Sequence, residues 1–290
     1  MDVQGKTVVV TGAANGIGRA LCRRFAEAGA GKVVVSDRDD AGAAEVASEI
    51  GGVSIRCDVS SEDDVIRLVE QSLQECGGID LFVSNAGMTV KGGIEVANDD
   101  WQRCWDVNVM SHVYGARGVL PSMLERGEGY LLNVASAAGL LTEMGSAVYS
   151  VTKHAAVAFA EWLSIHYGPK GIRVSCLCPA GVDTGFLNPD DVYDQFLKRS
   201  AVTPEEVAES VISGLAEEKF LILPHPDVGE FFAFKSQNYD KWLGNFAHLN
   251  ARMQRIADKQ ASQRDSGRLQ PRNTRKKRKP EGPPDSMNGS

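Results

Sequence analysis

Long apolar runs are missing from this sequence. None approaches the ~18 residues a membrane-spanning helix needs, so no membrane partner is expected. The opening Met1-Asp2-Val3-Gln4-Gly5-Lys6 has no basic leader followed by an apolar stretch. No signal peptide is expected there, and the protein is placed in the cytoplasm. An excess of positive charge is also missing: 31 Lys and Arg stand against 38 Asp and Glu, a net charge of −7. Nothing global therefore points to a nucleic-acid binder. The six cysteines (Cys22, Cys57, Cys76, Cys104, Cys176, Cys178) contain no C-x-x-C pair, and the five histidines are scattered. No metal site or redox dithiol is expected; Cys176 and Cys178 read as buried thiols on one face of a strand. There is no internal repeat. What remains is a chain of 290 residues, 43% hydrophobic, with 30 glycines. That suffices for one α/β domain of about 250 residues with many tight strand-to-helix turns.

The first such turn comes at once. Lys6-Thr7-Val8-Val9-Val10 is a β-branched run suited to a strand buried on both faces. Thr11-Gly12-Ala13-Ala14-Asn15-Gly16-Ile17-Gly18 follows, then Leu21, Cys22, Phe25 and Ala28 at helical spacing up to Gly29. In this order a glycine loop holds a pyrophosphate at a helix N-terminus, its glycines admitting the phosphates to free N–H donors. A second strand, Lys32–Ser36, ends in Asp37-Arg38. Asp37 lies where a ribose 2′-hydroxyl would be bound, or it could cap the helix starting near Asp39.

Strands and helices then alternate. A helix runs to Ile50, a strand covers Val53–Cys57 and closes with Asp58-Val59, and Ser60 or Ser61 caps the next helix. The fourth strand, Leu81–Val83, ends in Ser84-Asn85-Ala86-Gly87. A loop to about Asp100 precedes a long helical stretch, Trp101 to about Arg126, that carries Asn108. The fifth strand, Leu131–Ala135, delivers Ser136 at its C-terminal end. The sixth, Ile172–Leu177, leads to Pro179-Ala180-Gly181-Val182-Asp183-Thr184 and a mobile-looking segment to Ser200. Thr203-Pro204-Glu205-Glu206 opens a helix, and Phe220–Leu223 is a short seventh strand. Such alternation predicts right-handed crossovers and a parallel sheet.

Between the fifth and sixth strands lies the chemistry. Tyr149 and Lys153 are four apart, so on a helix they share a face. A phenol titrates near pH ~10, and lowering that by three units takes roughly 4 kcal/mol. One unit charge at ~4 Å could supply it at an effective dielectric near 20. Tyr149 and Lys153 thus form an acid/base candidate, with Ser136 to orient a substrate oxygen.

After the seventh strand, Val228, Phe231, Phe232 and Phe234 read as one amphipathic helix capped by Asp227. Trp242, Leu243, Phe246, Leu249, Met253 and Ile256 form a second, beginning near Tyr239. The resulting apolar stripe must be buried against the pocket mouth or a neighbouring subunit. From about Ala261 the chain carries eight Lys or Arg against three acids and several prolines, and should be disordered. Its run Arg275-Lys276-Lys277-Arg278-Lys279 could bind a polyanion, nucleic acid included, or be merely solvated. The expected divisions are 1–223, a helical extension 224–260, and a basic tail 261–290.

Taken together, these motifs resemble the short-chain dehydrogenase/reductase family over about residues 5–223. They are Thr11-Gly12-x-x-x-Gly16-Ile17-Gly18, Asp58-Val59, Asn85-Ala86-Gly87, Asn108, Ser136, Tyr149-x-x-x-Lys153 and Pro179-x-Gly181…Thr184. The resemblance implies an α/β, Rossmann-like, doubly wound parallel sheet of seven strands in the order 3-2-1-4-5-6-7. It implies an enzyme interconverting a secondary alcohol and a ketone. Tyr149 would be the acid/base, Lys153 would lower its pKa and bind the nicotinamide ribose, and Ser136 would hold the substrate oxygen. Asn108 would support a water-linked proton path. Gly12, Asn15, Gly16, Ile17 and Gly18 would form the phosphate loop. Asp58 with Val59 would face the adenine, and Asn85, Ala86 and Gly87 the ribose region. Pro179, Gly181, Val182 and Thr184 would lie at the nicotinamide. Asp37 favours NAD over NADP, with Arg38 the residue that could admit a 2′-phosphate.

Two departures stand out: Ser84 before Asn85, and Leu223-Pro224-His225-Pro226-Asp227 where a glycine-rich close is usual. Pocket segments at 88–94, 138–144 and 183–200 offer Leu140, Leu141, Met144, Phe186 and Leu187, with no arginine placed to clamp a carboxylate. An uncharged, moderately hydrophobic substrate is expected. A catalytically silent cofactor binder, or an epimerase or dehydratase, is the alternative. In family tetramers the seventh strand often forms an interface that the added helices would obstruct, so a homodimer is expected.

Overall fold

Seven parallel strands organise the computed structural model, which describes residues 1–265. They are β1 (Thr7–Thr11), β2 (Lys32–Asp37), β3 (Val53–Arg56), β4 (Leu81–Ser84), β5 (Gly129–Val134), β6 (Ile172–Leu177) and β7 (Leu221–Ile222). Their order in the sheet is β3-β2-β1-β4-β5-β6-β7, the Rossmann-like arrangement. The apolar strand runs work because both faces are covered. Val8 and Val10 join Val33 and Val35 in one core, while Val9 and Val34 face the other, as the two-residue period requires.

The first core is closed by α1 (Gly16–Glu27), α2 (Asp40–Ile50) and, later in the chain, the helix over Pro204–Ala216. Asp39 caps α2 by accepting from Gly42 N–H, so that task does not fall to Asp37. The other core is closed by α3 (Glu62–Cys76), capped by Ser61, and by the helical stretch that follows β4. That stretch starts earlier than expected, with α4 (Asn98–Trp105). It opens into a π-helical turn over Asp106–Met110 before α5 (Ser111–Arg126). Asn108 lies in the widened turn.

A short α6 (Ala138–Leu141) follows β5, then α7 (Ala147–Tyr167), whose Ser146 cap accepts from Tyr149 N–H. The segment expected to be mobile contains α8 (Val192–Lys198), capped by Asp191. Next come α9 (Pro204–Ala216), with a capping box between Thr203 and Glu206, then α10 (Pro226–Gln237) and α11 (Tyr239–Asp265).

Three details of the C-terminal segment correct the expectation. The cap of α10 is His225, not Asp227, because Pro226 takes the first helical position, where a missing N–H costs nothing. Helix α11 runs to Asp265, past Ala261; residues 266–290, and with them the run 275–279, lie outside the described residues. The apolar stripe is only half covered. Val228, Trp242 and Met253 are buried, whereas Phe231, Phe232, Leu243 and Ile256 are exposed. Trp242 stacks near Phe246, ring centroids 4.1 Å apart, and packs into the core that includes Leu140, Leu141 and Val157. No helix among the described residues is long and apolar enough to cross a membrane.

Candidate active site

The C-terminal ends of β1, β4, β5 and β6 converge, and the expected residues stand on the loops that leave them. At β1 the chain turns sharply into α1. A Cβ at Gly12 would stand 2.7 Å from Ala86 Cα, and one at Gly18 would stand 2.2 Å from the Gly12 carbonyl. Only hydrogen fits at either position. Asn15 precedes α1 without capping it, which leaves the first-turn N–H groups of Gly16, Ile17 and Gly18 to face an anion. A cleft of ≈ 510 Å³ lies beside this turn, lined by Asn15, Gly16, Arg19, Thr184, Gly185 and Pro204.

Asp37 ends β2 with its carboxylate accepting from Ala14 N–H at 3.0 Å and Asp39 N–H at 3.0 Å. It is thereby locked beside the glycine turn, and Arg38 next to it is exposed. Asp58 is engaged locally, accepting from the Ser60 N–H and hydroxyl, while Val59 is buried in the core. Asn85 donates to the carbonyls of Thr11 at 2.8 Å and Gly12 at 3.0 Å. Its amide braces the glycine turn. Thr11 completes the brace, donating to Val83 and accepting from Asn85 N–H. Thr11 was legible only as part of a motif, since its bonding depends on β1 lying beside β4.

Asn108 is fully buried and spends its amide on protein. Its Oδ1 accepts from Met88 N–H at 2.9 Å, and its Nδ2 donates to Met88 O at 2.9 Å and to Thr152 Oγ1 at 3.0 Å. It pins the segment after Gly87 to the helix that carries Tyr149. The π-helical turn gives it the reach: one residue more per turn displaces the side chain from an α-helical face.

Tyr149 and Lys153 share the inner face of α7, with the Lys153 ammonium 5.6 Å from the centre of the phenol ring. Lys153 donates to Val134 O at 2.9 Å. Burial pushes its pKa down to about 8. Burial also drives the phenol of Tyr149 above its ordinary value, and the Ser136 hydroxyl beside it pulls the other way. In the chain by itself, burial is the largest influence on the phenol. Ser136 accepts from Ala138 N–H at 3.1 Å, which fixes its hydroxyl at the end of β5.

The three pocket segments close over this group. Phe186 lies against Tyr149, ring centroids 5.7 Å apart. Leu140 and Leu141, expected in the lining, are buried in the core under α10 and α11 instead. Each segment contributes to an ionic knot that the sequence did not reveal. Lys91 Nζ meets Glu143 Oε1 at 2.9 Å, Asp194 Oδ1 at 2.5 Å and Asp191 Oδ1 at 3.9 Å. Burial opposes the Lys91 charge, and the carboxylates of Glu143 and Asp194 outweigh it, so its pKa rises. The lone charged residues of the first two segments, Lys91 and Glu143, were the available signal. Between them Thr142, a β-branched residue, sits at φ 76°, a sparsely allowed backbone.

Pro179, Gly181, Val182 and Thr184 follow β6. Val182 pairs with Val202, and Gly181 is buried beneath α8. The arrangement places the Tyr149 phenol, the Ser136 hydroxyl and the buried Lys153 side chain at the same end of the sheet as the glycine turn.

Comparison with known proteins agrees with the fold. Residues 6–191 match the sequence profile of the short chain dehydrogenases. Meso-2,3-butanediol dehydrogenase of Serratia marcescens is 33% identical over 228 residues, 75% of this chain and 90% of that protein. A short chain dehydrogenase/reductase from Burkholderia phymatum, solved with NAD, superposes with a TM-score of 0.76 at 29% identity. The match covers 83% of this chain and 96% of that one. For 3-ketoacyl-(acyl-carrier-protein) reductase from Brucella melitensis, solved with NADH, the values are 0.70, 32%, 76% and 96%.

Proposed function

This chain belongs to the short-chain dehydrogenase family, and from that membership we propose that it is an NAD-dependent oxidoreductase interconverting a secondary alcohol and a ketone. The observation that carries the proposal is the grouping of Tyr149, Ser136 and Lys153 beside the glycine turn. The substrate we propose is uncharged and moderately hydrophobic. Phe186 offers it an aromatic wall over Tyr149, and Lys91 is already engaged with Glu143 and Asp194, so it presents no free cation to an anion.

The residues present fit a dinucleotide. The uncapped start of α1 and the close approaches at Gly12 and Gly18 suit a pyrophosphate, and Asp37 suits a ribose diol. Asn15, Gly16, Ile17 and Arg38 would border it at one end. Asp58, Val59, Asn85, Ala86 and Gly87 would follow, then Pro179, Gly181, Val182 and Thr184 at the other. The nicotinamide, when bound, supplies the hydride acceptor or donor. The chain's own part is proton handling. In alcohol oxidation Tyr149, as phenolate, takes the hydroxyl proton while Ser136 holds the same oxygen by a hydrogen bond. Lys153 supplies positive charge that favours the phenolate, and Asn108 keeps the Met88 segment in place beside it. Burial raises the phenol's pKa, and positive charge beside it acts in the opposite sense, towards the phenolate.

Two measurements test this. Wild-type protein is screened for NADH formation from secondary alcohols, and Tyr149→Phe is expected to lose at least ~100-fold in turnover, the range of general acid/base catalysis. Activity of the variant within about tenfold of wild type would refute the assigned role. For the cofactor, kcat/KM should favour NAD over NADP, because a 2′-phosphate would stand against the Asp37 carboxylate. Equal values for the two would remove that part of the proposal.

A further inference from the structure

His225 sits where the sequence departs from its family, and nothing in the proposed chemistry uses it. The ring is buried, 5% exposed. Both its nitrogens are taken by consecutive residues of the loop that leaves β6. Ala180 N–H donates to Nδ1 at 3.3 Å, and Nε2 lies 3.0 Å from the Gly181 carbonyl. The first contact requires a bare Nδ1, so the hydrogen resides on Nε2 and is donated to Gly181 O. One neutral tautomer satisfies both contacts.

The loop is held from its other sides as well. Gly181 O also accepts from Val202 N–H at 3.1 Å, and a Cβ on Gly181 would stand 2.4 Å from Leu197 O. The loop therefore lies between the end of α8 and the histidine ring, with no room for a larger residue. His225 is itself rigidly mounted. Val228 N–H returns to the His225 carbonyl at 3.1 Å, Pro226 fixes the entry to α10, and the Val228 side chain is buried in the core. Further along, Lys235 donates to Leu140 O at 2.5 Å, and Asn250 on α11 accepts from the Tyr193 hydroxyl at 2.8 Å. The C-terminal helices thus reach α6, which follows β5, and α8, which follows β6.

We propose that His225 is a positioning residue for the nicotinamide half of the cofactor, fixing the Ala180–Gly181 peptides through its two ring nitrogens. The proposal rests on the reading of Pro179, Gly181, Val182 and Thr184 as the nicotinamide loop. It makes the C-terminal extension part of the cofactor site, although the extension itself need not touch the cofactor.

The test compares two ligands that share adenosine, pyrophosphate and ribose, and differ by the nicotinamide: NADH and ADP-ribose. Their dissociation constants are measured by calorimetry on full-length wild type, His225→Ala and His225→Gln. Loss of two hydrogen bonds that order the loop should weaken NADH binding to His225→Ala by about tenfold. ADP-ribose should change by less than about twofold, since it makes no use of that loop. His225→Gln, whose amide can donate and accept, should return NADH affinity to within about threefold of wild type. Should His225→Ala fail to fold, His225→Asn, too short to reach both peptides, takes its place and should behave alike. Parallel weakening of both ligands, or unchanged NADH affinity, overturns the proposal. Wild type that binds neither ligand would instead refute the cofactor reading on which it rests.

Discussion

His112 lies one helical turn beyond Asn108 and is buried to 1% exposure. No hydrogen bond of normal geometry reaches either ring nitrogen, although the Asn133 amide lies beside it. Burial, reinforced by the Lys153 ammonium, pushes its pKa down to about 3 from an ordinary 6.5. Between those values the unfolded chain binds a proton that the folded chain refuses. Stability must therefore fall as pH drops, at up to ~1.4 kcal/mol per pH unit. The window from pH 6.5 to 5 is the cleanest, because few carboxylates titrate there. Denaturant unfolding across that window should show a slope reduced by about one proton in His112→Gln. Identical slopes in wild type and variant would mean that His112 titrates alike in the folded and unfolded chain. Tyr149, Lys153 and Ser136 could be read from sequence because spacing along one helix and one strand end defines them. His112, Lys91 and His225 could not. Their partners lie on other elements, at Asn133, Glu143 and Ala180, and only the fold brings them together.

The elements divide in the same way. Strands such as Val8–Val10 and Val33–Val35 declare themselves because a strand buried on both faces needs an unbroken β-branched run. Helix α8, seven residues long, declares nothing, since so short a helix depends on its Asp191 cap and on Lys91 rather than on propensity. The π-helical turn at Asp106–Met110 is equally silent, its apolar positions reading as continuous α-helix. In the C-terminal pair, periodicity found both helices but not the half of the stripe that is covered. Trp242 is the residue that decides their docking. It is buried, and it contacts Phe231, Phe234 and Phe246. Trp242→Ala should cost about 3–5 kcal/mol in chemical denaturation. A loss below about 1 kcal/mol would show that α10 and α11 are not fixed to the sheet domain.

At the scale of the whole molecule, the described residues expose a second apolar surface besides the uncovered half of the C-terminal stripe. On α7, Val151, Trp162 and Ile165 are exposed and fall on one stripe with Ala155 and Ala158, opposite the face that buries Tyr149 and Lys153. Trp105, at the end of α4, is exposed as well. Contiguous apolar stripes of this kind mark association surfaces. We propose a homodimer in which these helices pack against their symmetry mates, since a two-fold axis makes one stripe complementary to itself. The opposite edge of the sheet is less suited to the task. There β7 has two residues and the chain passes almost at once into α10, so a second interface through that strand would meet the added helices. Sedimentation of the full-length protein should therefore give a dimer, and Ile165→Glu, which sets two carboxylates against each other across the axis, should give a folded monomer. A stable tetramer of the wild type, or an Ile165→Glu variant that remains dimeric at micromolar concentration, would place the contact elsewhere.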